Sequence, residues 1–120
     1  MGFSFIAIDG DDIGRNLEKL LIEEDFSELI SFSNTVKNYF NLVKKIALKY
    51  NSKILLFGGD SIIIKIESKN AKNFIVNLNK IQSNITVSIG IGQTMKQAFF
   101  ALKEAKALGR NRIIYFNNNT

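Results

Sequence analysis

The chain contains no cysteine and no histidine. Without thiols it forms neither disulfides nor thiolate metal sites. Without imidazole it has no zinc-hydrolase centre, no histidine general base and no Ser-His-Asp triad. Any metal must be held by oxygen ligands, which points to magnesium, manganese or calcium. Proline is also absent, so glycine supplies the main punctuation. No apolar run approaches the roughly 18 to 20 residues of a membrane span. The opening MGFSFIAID lacks a basic segment ahead of a long apolar stretch. No signal peptide is expected, and a cytoplasmic location follows by default.

What is present suits one compact domain over residues 1–120, with a real core: 46% of the residues are hydrophobic and ten are Phe. The net charge of +5 favours an anionic partner such as a nucleotide or RNA. There is no internal repeat and no linker, and only the closing NNNT reads as a frayed tail.

Residues 3–9, FSFIAID, carry apolar side chains on both faces and predict a central strand. GDDIG turns into a short helix over 13–22. A long helix over 26–50 follows from Leu29, Phe32, Val36, Tyr39, Phe40, Val43, Ala47 and Tyr50 at helical spacing. KILLF (53–57) and IIIKIE (62–67) flank GGDS as a hairpin whose glycines permit positive φ. Further along come a helix over 70–82, a strand over 85–91, a helix over 95–108 stopped by Gly109, and a strand over 112–116. The order β-α-α-β-β-α-β-α-β extends the split βαβ pattern of ferredoxin-like α+β domains. The expectation is a central antiparallel sheet with its helices packed on one face. The first strand and the hairpin would lie side by side at its centre.

That arrangement brings Asp9, at the end of the first strand, near Asp60 in the glycine turn. Two such carboxylates can hold two divalent ions, activate a ribose hydroxyl and neutralise a triphosphate. Gly58 and Gly59 let a nucleotide approach the backbone, and the Gly10 carbonyl is a further candidate ligand. A second reading stands beside this one, since turns rich in Gly, Asp and Ser are common and an aspartate often just ends a strand. Asp11 and Asp12 are each open to a capping role on the following helix, Asp12 above all, and Asp12 is otherwise a candidate for supporting the site from behind. Asp11, two residues beyond Asp9, shares its side of the strand if the strand continues, and is a candidate for supporting the site from behind.

In AFFALKEAKALGRNRIIYF, Phe99, Leu102 and Lys106 fall on one helical stripe, so Lys106 either snorkels or reaches an anion. Arg110 follows Gly109. The two cations can grip a triphosphate, or they can compensate the helix C-terminus. Asn111 and Arg112 read as fixing the turn and the start of the last strand.

FIAIDGDDIG, FGGDSIII, ITVSIGIG and AKALGRNRIIYF occur in the order seen in GGDEF-type diguanylate cyclases and in the palm domain of the type III CRISPR polymerase subunit. The short chain most resembles the minimal CRISPR polymerase family. The resemblance implies metal binding by Asp9, the Gly10 carbonyl and Asp60, with two Mg2+ or Mn2+ ions per site. It makes Gly58 and Gly59 the signature glycines and Lys106 and Arg110 the phosphate-contacting pair, with Ser61 completing the nucleotide-binding set. Ser61 replaces an acid at the fourth signature position. The primary pair remains, as in two-carboxylate palm cyclases such as the class III adenylyl cyclases. The Asn and Asp that diguanylate cyclases use for guanine have no clear counterparts, Asn16 being a loose candidate, which favours ATP over GTP.

The implied activity is synthesis of a cyclic dinucleotide or short cyclic oligonucleotide from nucleoside triphosphates, with release of pyrophosphate. By analogy it occurs in a homodimer without a DNA template. The product would signal to a separate effector protein in anti-phage defence. Two other readings stand: a degenerate palm that binds nucleotide as a sensor, favoured by Ser61, and an RNA-binding ferredoxin-like module. IIIKIE offers the latter no aromatic platform.

Overall fold

The computed structural model describes residues 2–117, so the expected frayed tail lies, apart from Asn117, outside the described residues. Its elements are β1 (Phe3–Gly10), α1 (Ile13–Ile22), α2 (Phe26–Lys49), β2 (Lys53–Phe57), β3 (Ser61–Glu67), α3 (Ser68–Leu78), β4 (Val87–Gly92), α4 (Met95–Ala107) and β5 (Ile113–Tyr115). The predicted order recurs element for element. The largest boundary differences surround α3, which begins at Ser68 and ends at Leu78. The strand that follows starts only at Val87, because Ser83 Oγ accepts a hydrogen bond from Ile85 N at 3.2 Å and folds that stretch locally. Two helices start on side-chain caps. Asp25 accepts from Glu28 N for α2, and Thr94 accepts from Gln97 N for α4. Gly109, at φ 117°, turns the chain out of α4 as expected.

The five strands lie in the order β2-β3-β1-β4-β5. The central strand is β1, antiparallel to both β3 and β4. The fold is thus the expected mixed palm-like one, with three differences in detail. First, β2 lies at the edge, so only β3 of the hairpin sits beside β1. Second, β5 runs parallel to β4, because α4 carries the chain back to the start of the sheet before β5 begins. Third, helices cover both faces rather than one.

The alternation of side chains along the strands produces those two faces. Ile6 and Ile8 of β1, Ile62, Ile64 and Ile66 of β3, and Ile89 and Ile91 of β4 form a buried layer against Val36, Phe40 and Val43 of α2 and Phe74 and Leu78 of α3. On the opposite face, Ala7 pairs with Gly90 and Phe5 with Gly92. There α4 packs through the buried Ala98, Ala101 and Ala105. This surface is almost without side chains, so the helix backbone lies directly on the sheet. A Cβ at Gly90 would overlap the α4 backbone at Ala98 and Leu102.

Gly90→Ala should therefore destabilise the protein by at least about 1–3 kcal/mol, the cost of overpacking a filled interface. Urea-unfolding midpoints of wild type and variant measure it. An unchanged midpoint would mean that α4 does not seat this closely.

Candidate active site

The end of β1 and the 58–60 turn are joined through the backbone. Asp9 lies directly across from Ser61. Gly10 N donates to Asp60 O at 2.8 Å, and Gly58 N to Ser61 O at 2.9 Å. These main-chain bonds set Asp9 and Asp60 side by side, and both line a cleft of about 640 Å³. The same cleft takes in Gly10, Asp12, Ser61, Lys106 and Arg110. Its remaining walls include the first turn of α1 and the apolar Leu56, Ile63, Phe99 and Leu102.

Lys106 reaches this cleft because α4 is seated so low on the sheet that its last turn abuts the end of β1. Its ammonium lies 3.1 Å from Asp9 Oδ2 and 3.1 Å from Asp11 Oδ1, and donates to the Gly10 carbonyl at 2.9 Å. The snorkelling alternative is thereby set aside, since the ammonium is directed at carboxylates rather than out to solvent. Just beyond α4, Arg110 and Asn111 adopt φ of 68° and 50°. This tight turn brings Arg110 Nε to 3.5 Å from Asp12 Oδ1.

Asp12 is a correction to the capping reading. It occupies the N-cap position of α1 in the left-handed region, φ 55° and ψ 26°, and makes no side-chain cap. In that conformation its carboxylate faces Arg110 instead. The leading N–H groups of α1, which have no intrahelical partners, are left toward the cleft.

Asp11 lies beneath the cleft rather than in it and is buried. Its carboxylate accepts from Thr86 Oγ1 at 2.6 Å, Ser88 Oγ at 2.7 Å, Lys106 Nζ at 3.1 Å and Asn111 N at 3.0 Å. Burial is the largest single influence on its pKa and acts to raise it. The hydrogen bonds from Thr86, Ser88, Lys106 and Asn111 together outweigh burial and hold the carboxyl below its ordinary value of 3.8. The charge is felt across the sheet: the Tyr39 hydroxyl is pushed up to about 12, chiefly by burial and then by Asp11.

The two signature glycines meet one expectation and not the other: the turn does not use positive φ, but it does leave open space at Gly59. Neither has positive φ, and a Cβ on Gly59 would meet nothing within 4 Å. Gly59 lines a smaller adjoining cavity of about 350 Å³ that shares Ile13, Gly14 and Asp60 with the main cleft. The open space beside the turn, not backbone strain, is what glycine leaves there. Gly58 and Asp11 do not line the main cleft, and neither does the exposed Asn16.

Four residues escaped the sequence reading. Arg15 and Lys103 add positive charge to the cleft wall. Thr86 and Ser88 hold Asp11. The signal for Ser88 was present, since it is a polar residue in step with Gly90 and Gly92 on one face of an otherwise apolar strand. Among the described residues no three acidic side chains converge as a metal centre. Two carboxylates and one carbonyl at a strand end remain as the oxygen set, the donor chemistry that suits magnesium or manganese.

The fold is shared with nucleotide cyclase domains. The active GGEEF domain of a diguanylate cyclase from Vibrio cholerae is similar at TM-score 0.70 and 18% identity, over 98% of this chain and 84% of that one. The GGDEF domain of DgcB from Caulobacter crescentus, solved with c-di-GMP, gives 0.68 and 14%, over 94% and 77%. A chain of the Csm1–Csm4 cassette, solved with one ATP, gives 0.75 and 16%, over 93% of this chain and 20% of that one. Within this class the chain belongs to the minimal CRISPR polymerase family, whose domain model matches residues 5–116. No curated protein matches the sequence.

Because Asp11 titrates lower in the native state, its stabilising contribution is complete above about pH 3.8 and is lost as pH falls through the depressed native value. Melting temperatures of the metal-free protein should drop steeply below pH 4. Asp11→Asn should flatten that slope, and Asp11→Ala should cost about 1–3 kcal/mol by leaving the buried Ser88 hydroxyl without its acceptor, while Lys106 keeps Asp9 and the Gly10 carbonyl. An Asp11→Asn profile superimposable on wild type would exclude this role.

Proposed function

We propose that the protein is a divalent-metal-dependent nucleotidyl cyclase that joins nucleoside triphosphates, ATP preferred, into a cyclic dinucleotide or short cyclic oligonucleotide. The observation that carries this reading is the convergence of Asp9 and Asp60 with Lys106 and Arg110 on one cleft. Family membership and the shared cyclase fold support it.

Asp9, the Gly10 carbonyl and Asp60 are the residues that would hold the metal. When bound, the ions would supply charge neutralisation of the triphosphate and activation of the ribose hydroxyl. Lys106 and Arg110 bind and orient the phosphates; until then their charge is taken up by Asp9, Asp11 and Asp12. The hydroxyl of one nucleotide attacks the α-phosphorus of another, forming a P–O bond as the bond to pyrophosphate breaks. Each chain contributes one such site in a homodimer, without a DNA template. The cyclic product acts on a separate effector in anti-phage defence, inside the cytoplasm. None of the described helices is long and apolar enough to cross a membrane. Ser61, across from Asp9, supplies no third carboxylate, so Asp9 and Asp60 would be the two carboxylates of the metal site, beside the Gly10 carbonyl.

The purified protein, incubated with each triphosphate and Mg2+ or Mn2+, should yield a cyclic product identifiable by mass spectrometry. Asp9→Ala and Asp60→Ala should each lower turnover by on the order of 10²-fold or more, and chelation should abolish it. Lys106→Ala should reduce kcat/KM by about 10- to 100-fold, the loss of a charge-assisted contact. Full activity in Asp60→Ala would sink the metal assignment. Tight triphosphate binding without product under any metal would identify a degenerate nucleotide sensor.

A further inference from the structure

The face of the sheet that carries α4 is only partly covered. The helix packs on β4, β1 and β5, and leaves β2, β3 and the start of β1 open on that side. Strand register places Phe3 and Phe5 of β1, Ile63 and Lys65 of β3, and Lys53 and Leu56 of β2 on this open area. Phe3 and Leu56 are each 51% exposed. Lys65 Nζ lies 4.6 Å from the Phe3 ring centroid and 5.9 Å from that of Phe5. Lys53 sits directly across from Lys65, a like-charge pair that destabilises a bare sheet and that an anion would relieve. Neither lysine has a carboxylate partner among the described residues. Glu67, across from Phe3, leans toward Lys69 at 3.9 Å.

We propose that this face binds a short single-stranded oligonucleotide, with phosphates on Lys53 and Lys65 and bases against Phe3 and Phe5. The exposed Phe3 ring, the partly buried Phe5 ring next to it and two lysines on an open sheet supply the stacking surface and charge that such a platform requires. The aromatics come from β1, not from the IIIKIE strand. The platform runs into the cleft through Leu56 and Ile63, which line both. At the rise of an extended strand, Phe5 and Phe3 lie about 13 and 20 Å along β1 from Asp9, room for several nucleotides rather than one base. The opposed lysines argue against a second copy of this chain as the occupant, since a two-fold contact would bring four of them together.

The test is fluorescence anisotropy with labelled single-stranded oligoadenylate RNA, in chelator and without triphosphate, so that turnover plays no part. Lys53→Glu/Lys65→Glu should weaken binding at least about 10-fold and reduce the log–log salt slope by about 1.4. Phe3→Ala should weaken binding on the order of 10-fold. Lys65→Glu should keep or raise the melting temperature, because it removes the like-charge pair, so lost binding would not reflect unfolding. Equal weakening by the charge-matched Lys49→Glu/Lys80→Glu, two exposed lysines away from this face, equal affinity for duplex RNA, or no RNA binding with self-association that Lys65→Glu abolishes, would each overturn the proposal. The first two outcomes mean general charge attraction, and the third an interface between copies. Absence of cyclic product in the assay above would leave this result standing.

Discussion

The Asp11 carboxylate is taken out of water and surrounded by donors from three separate stretches of the chain. Thr86 and Ser88 approach from around the start of β4, Lys106 from the end of α4, and the Asn111 main chain from the turn before β5. A buried anion is tolerated only when its lone pairs are occupied by good donors. Satisfying this one charge therefore dictates where β4, the last turn of α4 and the 109–112 turn must lie relative to the end of β1. The cleft above it inherits that arrangement. Lys106 is shared between the buried Asp11 and the half-exposed Asp9, so the support and the site meet in one ammonium group.

The second constraint is steric. α4 can bring Lys106 to Asp9 only because Ala7, Gly90, Ala98, Ala101 and Ala105 leave nothing between helix and sheet. The large isoleucine and phenylalanine core on the opposite face provides most of the apolar burial. The thin Gly/Ala layer contributes less burial but sets the height of the helix. It also ends before β2 and β3, and that leaves the cleft and the open sheet beside it accessible. Positive charge lies on this side in two places: Lys103 and Arg110 line the cleft with the carboxylates, and Lys53 and Lys65 lie farther along the open sheet.

Much of the architecture was legible in the chain. Strongly periodic stretches such as 26–50 and alternating ones such as 62–67 announce their own type, because burying one stripe or one face requires that pattern. The failures were of a different kind. The hydrophobic pattern of FSFIAID shows that both faces are covered, yet the split βαβ order alone places the helices on one face. The reason is that Gly90 and Gly92 resemble strand punctuation rather than a docking surface. Asp12 has the composition of a cap, but its left-handed backbone and the nearby Arg110 decide otherwise. The Gly58–Gly59 pair permits positive φ, which the turn does not adopt, while the space that a bare backbone leaves is present at Gly59.

By itself, then, the sequence determined the oxygen-only donor chemistry, the order of elements and the two aspartates at chain reversals. Composition, periodicity and turn residues are local properties, and those conclusions need nothing more. Tertiary structure alone decided that Asp11 is buried under the site, that Lys106 bridges Asp9, Gly10 and Asp11, and that Phe3, Phe5, Lys53 and Lys65 share an open face. Each of these joins residues far apart in the chain. Their meeting depends on strand register and on the height at which α4 sits, which no local pattern encodes.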